Sequence, residues 1–265
     1  MEDYKKNNQK AWEESFEHRS DAFEQRTQTV LREAPLQFFS EPLAKALTET
    51  SPKGKTLAQF CCNNGRETIA SLAFGFTKAI GFDFAENMVA FANKTAKDLK
   101  QNATFCASDI LAIPERYSNT ADVGLVTVGA LGWFPDLRLF FQALAKVLKS
   151  NGWLIIEEMH PFTNLVATQD EPLYRPDAPA LVVYEYFKKE PWVSNEGMGY
   201  MTGGHVKTTT FSSFSHPFSE IVNSLIGSGF ELRRFDESTT DQSESFGHLE
   251  HSGLPLTYLL VAKCH

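Results

Sequence analysis

The residue types that could do chemistry fall at three points of the chain, each where an apolar run gives way to a polar turn. The first is Gln59-Phe60-Cys61-Cys62-Asn63-Asn64-Gly65-Arg66-Glu67-Thr68, which leads from a strand-like run into a helix-forming one. A glycine at such a turn lets the backbone approach a ligand, and the amino end of the following helix offers unpaired N–H groups. Taken alone, Gly65 also fits a plain turn. The second point is Gly81-Phe82-Asp83, eighteen residues beyond Gly65. A carboxylate there can accept both hydroxyls of a ribose, and it equally suits a helix N-cap. The third is Ala107-Ser108-Asp109-Ile110, where Asp109 can accept from a purine's exocyclic amine or be an ordinary loop aspartate.

The histidines supply candidate proton acceptors, since imidazole titrates near neutrality. His160 stands in Glu157-Glu158-Met159-His160-Pro161, directly after an apolar run, while His205 and His216 flank a β-prone run. The structural alternative is that His160 and His216, each preceding a proline, only shape element boundaries. His248 and His251 lie in a loop and are assigned nothing. Tyr174, Tyr184, Tyr186, Phe187, Trp192 and Tyr200 crowd one region. They suit either the wall of an acceptor pocket, for a cationic substrate included, or the small core of a lid.

The elements that must position these residues alternate regularly. Strands are expected at 57–61, 79–82, 104–107, 123–128 and 153–156, with amphipathic helices between them. The helix bearing Leu137, Phe140, Phe141, Leu144, Val147 and Leu148 on one stripe is the clearest, and Ser150-Asn151-Gly152 ends it. Strand–helix alternation of this kind implies a parallel sheet with right-handed crossovers, whose ligands bind beyond the strands' carboxyl ends. The first fifty residues read as helical, with Trp12, Phe16 and Phe23 on one face and Ser40-Glu41-Pro42 starting a second helix. Residues 160–215 break the rhythm with β-prone runs at 181–187 and 206–214, expected as a pair of strands lying over the sheet's carboxyl edge. A helix at 218–226 and strands at 230–235 and 257–262 then resume it.

The order Gly65, Asp83, Asp109 after three successive strands resembles the class I S-adenosylmethionine (SAM)-dependent methyltransferases. The similar stretches are TLAQFCCNNGRET, AIGFDFAENMVAFA, FCASDILAIPE, ADVGLVTVGALGWF and ALAKVLKSNGWLIIEE, in unbroken order over about residues 56–158. The resemblance implies an α/β, Rossmann-like fold. Its seven-stranded, mostly parallel sheet would carry helices on both faces, an N-terminal helical cap at 1–50 and a domain at 51–265 with a lid inserted at about 160–215.

It also implies a cofactor site at Phe60, Cys61, Asn63, Gly65 and Thr68 of the first loop. Asp83 would hold the ribose, with Phe84 beside it, Met88 near the adenine, and Asp109 and Ile110 at the adenine amine. Thr127, Val128 and Gly129 would line both methionine and acceptor. Cys61 and Asn63 replace two of the family's three loop glycines, and Gln59 replaces its usual acid. This resembles a bacterial branch with a degenerate loop. His160 and His216 are the candidate catalytic residues.

Composition narrows the partners. With 33 acidic and 25 basic residues the formal charge is −8, the wrong sign for general nucleic-acid binding. The first fifteen residues lack the apolar core of a signal peptide, and no run reaches the roughly 20 apolar residues of a membrane helix. Four cysteines without metal-ligand spacing indicate neither zinc nor a disulfide framework. The expectation is a cytoplasmic enzyme that methylates a small-molecule acceptor by direct displacement, with no nucleic-acid or membrane partner and no metal. Its oligomeric state is left open. A non-catalytic SAM-binding or regulatory protein is the alternative, and a nicotinamide-dependent oxidoreductase lies behind it because G-x-G-x-x-G is missing.

Overall fold

The computed structural model describes residues 3–265. Three helices come first: α1 (Asp3–Glu17), α2 (Asp21–Glu33) and α3 (Glu41–Glu49). The expected single helix carrying Trp12, Phe16 and Phe23 is broken, because Ser20 caps α2 by accepting from the Phe23 amide. The three aromatics still meet, packed with Ala85, Met88 and Met201.

The sheet strands are β1 (Thr56–Phe60), β2 (Lys78–Asp83), β3 (Ala103–Ala107), β4 (Ala121–Val126) and β5 (Leu148–Met159). Between them lie α4 (Arg66–Ser71), α5 (Glu86–Asp98) and α6 (Leu137–Val147). The insertion contributes β6 (Trp192–Glu196), α7 (Gly199–Thr202) and β7 (Lys207–Ser213), followed by α8 (Phe218–Ile226), β8 (Phe230–Ser238) and β9 (Thr257–Cys264).

The seven-stranded sheet runs β3-β2-β1-β4-β5-β9-β8, parallel except for β9, which is antiparallel to both neighbours. Strand order reverses between β1 and β4, the switch point at which such sheets open a crevice. Side chains alternate between the faces. Ala58, Phe60, Val126, Ile156 and Leu260 pack with α6 and α8. Leu57, Leu125, Ile155 and Leu259 pack with α3, α4 and α5. Runs buried on both faces are what a central parallel strand requires.

Two expectations shift. β5 begins at Leu148, whose extended backbone pairs with Ala121, so α6 ends before the Ser150-Asn151-Gly152 turn. In the insertion, the paired strands are β6 and β7 rather than 181–187 with 206–214. Residues 181–187 stay irregular because the Val183 and Tyr184 amides both bond the Leu165 carbonyl. Val182 and Phe187 point to solvent there, so no buried face rewards a strand.

Candidate functional site

A cavity of about 760 Å³ opens over the carboxyl ends of β1 to β5, within the roughly 300–1,000 Å³ usual for small-molecule sites. Its floor is the loop after β1. Cys61 (φ 57°), Asn63 (φ 52°) and Gly65 (φ 77°) all adopt left-handed backbone conformations. Cys61 and Asn63 therefore hold conformations that glycine would adopt without strain. Hydrogen bonds enforce them. The Cys62 amide bonds the Phe82 carbonyl, and the Asn63 amide donates to Asp83 Oδ2 at 2.8 Å.

Asp83 is buried, with Oδ1 accepting from the Ala85 amide at 3.0 Å. Burial pushes its carboxyl up to about 6, against the pull of the amides of Ala85, Asn63 and Phe84. Each oxygen retains acceptor capacity, since a carboxylate oxygen offers two lone-pair sites. A ligand bearing paired hydroxyls would fit that need. Phe84 and Met88 also line the cavity.

Asp109 and Ile110 line it beyond β3. Asp109 Oδ1 accepts from the Leu111 amide, while Oδ2 pairs with Lys5 Nζ at 2.7 Å. Lys5 thus takes the oxygen the sequence reserves for an adenine amine. Thr127, Val128 and Gly129 line the centre. Glu158 holds that loop, accepting from the amides of Gly129 (2.5 Å), Leu131 (3.0 Å) and Met159 (2.8 Å).

Four expected site residues do not line the cavity. Phe60 is fully buried in the core, stacked on Phe82. Thr68 is buried beneath the loop and donates to Gln59 Oε1 at 2.6 Å, while Gln59 Nε2 donates to Thr127. An amide can donate and accept at once, which a carboxylate at position 59 cannot. Gly65 lies behind the loop, where a Cβ would sit 2.5 Å from the Phe105 ring and 2.7 Å from Ala92 Cβ. His160 is turned away. Its Nδ1 accepts from the Phe162 amide, Nε2 meets Glu237 at 2.8 Å, and burial holds its pKa below the usual value. It caps the turn 161–165.

His216 does line the cavity and is buried. Its Nε2 donates to the Phe134 carbonyl at 2.9 Å, and Nδ1, buried and without a hydrogen bond, lies 3.2 Å from Glu220 Oε1. Glu157 also lines the cavity, bonded through Oε1 to the Ser40 hydroxyl. Burial pushes its carboxyl up to about 7. Sequence reasoning put Glu157 near this point without giving it a role; the signal was two adjacent acids ending a buried apolar strand.

The roof is α1 with the insertion. Lys5, Lys6, Gln9 and Trp12 line the cavity from above, as do Trp192, Met198, Tyr200 and Phe214. Gln9 donates to the Phe84 carbonyl, Asn8 bonds both ways with Ser212, and Tyr200 accepts from Asn63 Nδ2. Trp12 meets Trp133 and Phe211 edge-on. Among the described residues, no cluster of three or more His, Cys, Asp or Glu could hold a metal, and no helix is long and apolar enough to cross a membrane.

Residues 53–189 match the family described as Methyltransferase domain. Over 113 residues the chain is 32% identical to a demethylmenaquinone methyltransferase from Lactococcus lactis subsp. lactis (strain IL1403). That match covers 41% of this chain and 44% of the relative, so the chain spans less than half the length of the curated protein it matches. An S-adenosylmethionine-dependent methyltransferase from Clostridium acetobutylicum ATCC 824 superposes with TM-score 0.61 at 11% identity, over 92% of this chain and 98% of that one. One from Mesorhizobium loti gives TM-score 0.60 at 19% identity, over 88% and 99%.

Proposed function

The chain belongs to the methyltransferase-domain family and has the fold of SAM-dependent methyltransferases, and from this we propose that it transfers a methyl group from SAM to a small-molecule acceptor. The observation that carries the proposal is Asp83. A buried carboxylate at the end of β2, beside a loop of three left-handed residues, faces a cavity large enough for cofactor and acceptor. SAM bound there supplies an activated methyl group on a sulfonium.

Asp83 would hold the ribose hydroxyls, the loop at Cys61 and Asn63 the methionine part, and Asp109 with the Ile110 amide the adenine. Thr127, Val128 and Gly129, braced by Glu158, would frame the point where the methyl meets the acceptor. The protein's work is then alignment and exclusion of water. We read residues 1–50 as a cap and about 160–215 as a lid; α1 and β7 contact each other above the cavity.

His216 is the residue we assign to receive the acceptor's proton. The Phe134 carbonyl takes the Nε2 proton, so Nδ1 is the nitrogen left to receive one. It is buried beside Glu220, whose carboxylate would stabilise the imidazolium, and the acceptor reaches it only if the ring or Glu220 shifts. The acceptor is read as small because the cavity is bounded, in keeping with the quinone methyltransferase relative. Calorimetry should show SAM binding, and a metabolite screen should reveal an acceptor that releases S-adenosylhomocysteine. His216→Asn should then lower turnover about 10²–10⁴-fold and leave SAM affinity nearly unchanged. Absence of turnover with every acceptor while SAM binds would favour a regulatory protein.

A further inference from the structure

The titratable groups of the cavity divide along the sheet. Asp109 lies beyond β3 and Glu157 lies near the carboxyl end of β5, four strand positions apart, or roughly 19 Å. The adenine end carries Asp109 with its partner Lys5. The β5 end carries Glu157, Glu158 and Glu244 with the pair Arg66–Glu67. Glu158 is satisfied by three backbone amides, and Arg66 pairs through Nε with Glu67 at 2.6 Å, its guanidinium lying over the far end of this wall against the Phe38 ring. Among the described residues, Glu157 has no cation partner.

Its surroundings define what could complete it. Ser40 accepts from the Leu43 amide as the N-cap of α3, so its one hydroxyl hydrogen goes to Glu157 Oε1. Oε2 takes no hydrogen bond from the protein. Phe38 and Leu43, on either side of Ser40, line the cavity together with Glu157, while Leu259 is the register neighbour of Glu157 on β9. Glu157 is only 5% exposed. A buried carboxylate without a counter-charge is costly, and an ammonium brought in by a ligand would remove that cost. An anionic ligand group would instead add a like charge beside Glu157, Glu158 and Glu244.

We propose that the acceptor carries an amine, held as its ammonium by Glu157 Oε2 with its apolar body against Phe38 and Leu43. This rests on reading the cavity as the acceptor site of a methyltransferase. The raised carboxyl of Glu157, about 7, fits a group awaiting a cation, whose arrival would pull it back down.

Titration calorimetry at pH 8 with 2-phenylethylamine, 2-phenylethanol and phenylacetate, with S-adenosylhomocysteine saturating, tests the idea. The amine should bind at least tenfold more tightly than either analogue. Glu157→Gln should abolish that preference while S-adenosylhomocysteine affinity, which also reports folding, stays within about twofold. Ser40→Ala keeps the carboxyl and removes the bond that favours its ionised form. It should move the midpoint pH of amine binding upward. Equal binding of the alcohol or the carboxylate, or an amine preference surviving in Glu157→Gln, overturns the proposal and leaves methyl transfer standing. Amine preference without any affinity for S-adenosylhomocysteine would keep the amine site and overturn methyl transfer.

Discussion

Asp83 does two jobs with one carboxylate. It accepts the amides of Asn63 and Ala85, which shapes the loop, and it faces the cavity where a ribose would lie. Hydroxyls donate best to the ionised form, and burial raises this group to about 6. SAM affinity should therefore fall as pH drops through 6, because protonation removes acceptor capacity. In Asp83→Asn, calorimetry at pH 7.5 should find binding at least tenfold weaker, in line with roughly 1.5–3 kcal/mol per charged hydrogen bond, and flat between pH 5 and 8. Undiminished affinity would sink the assignment. Asn63 makes a contrasting case, since its φ of 52° is a cost that glycine avoids. Its side chain nonetheless bonds Tyr200 and the Asn64 amide, which explains why a non-glycine residue is tolerated there.

At the scale of elements, α1 closes the site from above through few but specific contacts. Gln9 reaches the Phe84 carbonyl, Glu13 accepts from the Glu86 amide, and Lys5 pairs with Asp109. Lys5 and Asp109 are both more than a third exposed, so the pair contributes little, about 1 kcal/mol or less. If Lys5 merely competes with the adenine for Asp109, Lys5→Met should leave SAM affinity unchanged or raise it by up to about fivefold. A tenfold weakening in the same titration would mean that Lys5 contacts the cofactor itself.

The whole molecule should register its buried carboxyls as pH-dependent stability. Asp83 and Glu157 both have folded-state values raised by burial, to about 6 and about 7. Such groups bind protons more tightly when folded. Their contribution is full below about pH 4 and is lost as pH rises through 6 and 7. His160, held below its usual value by burial, works the opposite way beneath its unfolded value of about 6.5, so the comparison must be made between variants. Relative to the native chain, Glu157→Gln without ligand should become progressively more stable between pH 5.5 and 8. The gain should reach about 1–3 kcal/mol, or about 2–6 °C in thermal midpoint for a chain of this size. A difference that stays constant with pH would show that Glu157 titrates as an ordinary exposed carboxyl.

What the sequence determined by itself was whatever depends on neighbours along the chain. Short apolar runs located the central strands and a period-3.6 stripe located α6, and strand–helix alternation implied the parallel sheet. The turns after β1, β2 and β3 marked Cys61, Asn63, Asp83 and Asp109 because each ends a strand at the same edge. Tertiary structure alone decided the rest. The β6–β7 pair, rather than 181–187, became the insertion's strands, because pairing depends on which face finds something to cover. Thr68 and Gly65 went beneath the loop rather than into the cavity, as packing against Gln59 and Phe105 required. The two histidines, alike in sequence in preceding a proline, parted company for the same reason. Glu237, 77 residues from His160, draws one ring out of the site, while the Phe134 carbonyl, 82 residues from His216, holds the other at its wall. Glu157 and Ser40, 117 residues apart, likewise met only when α3 packed on β5. Such contacts leave no periodic trace in the chain, because they are made between elements whose separation in sequence is set by the fold's topology and not by local geometry.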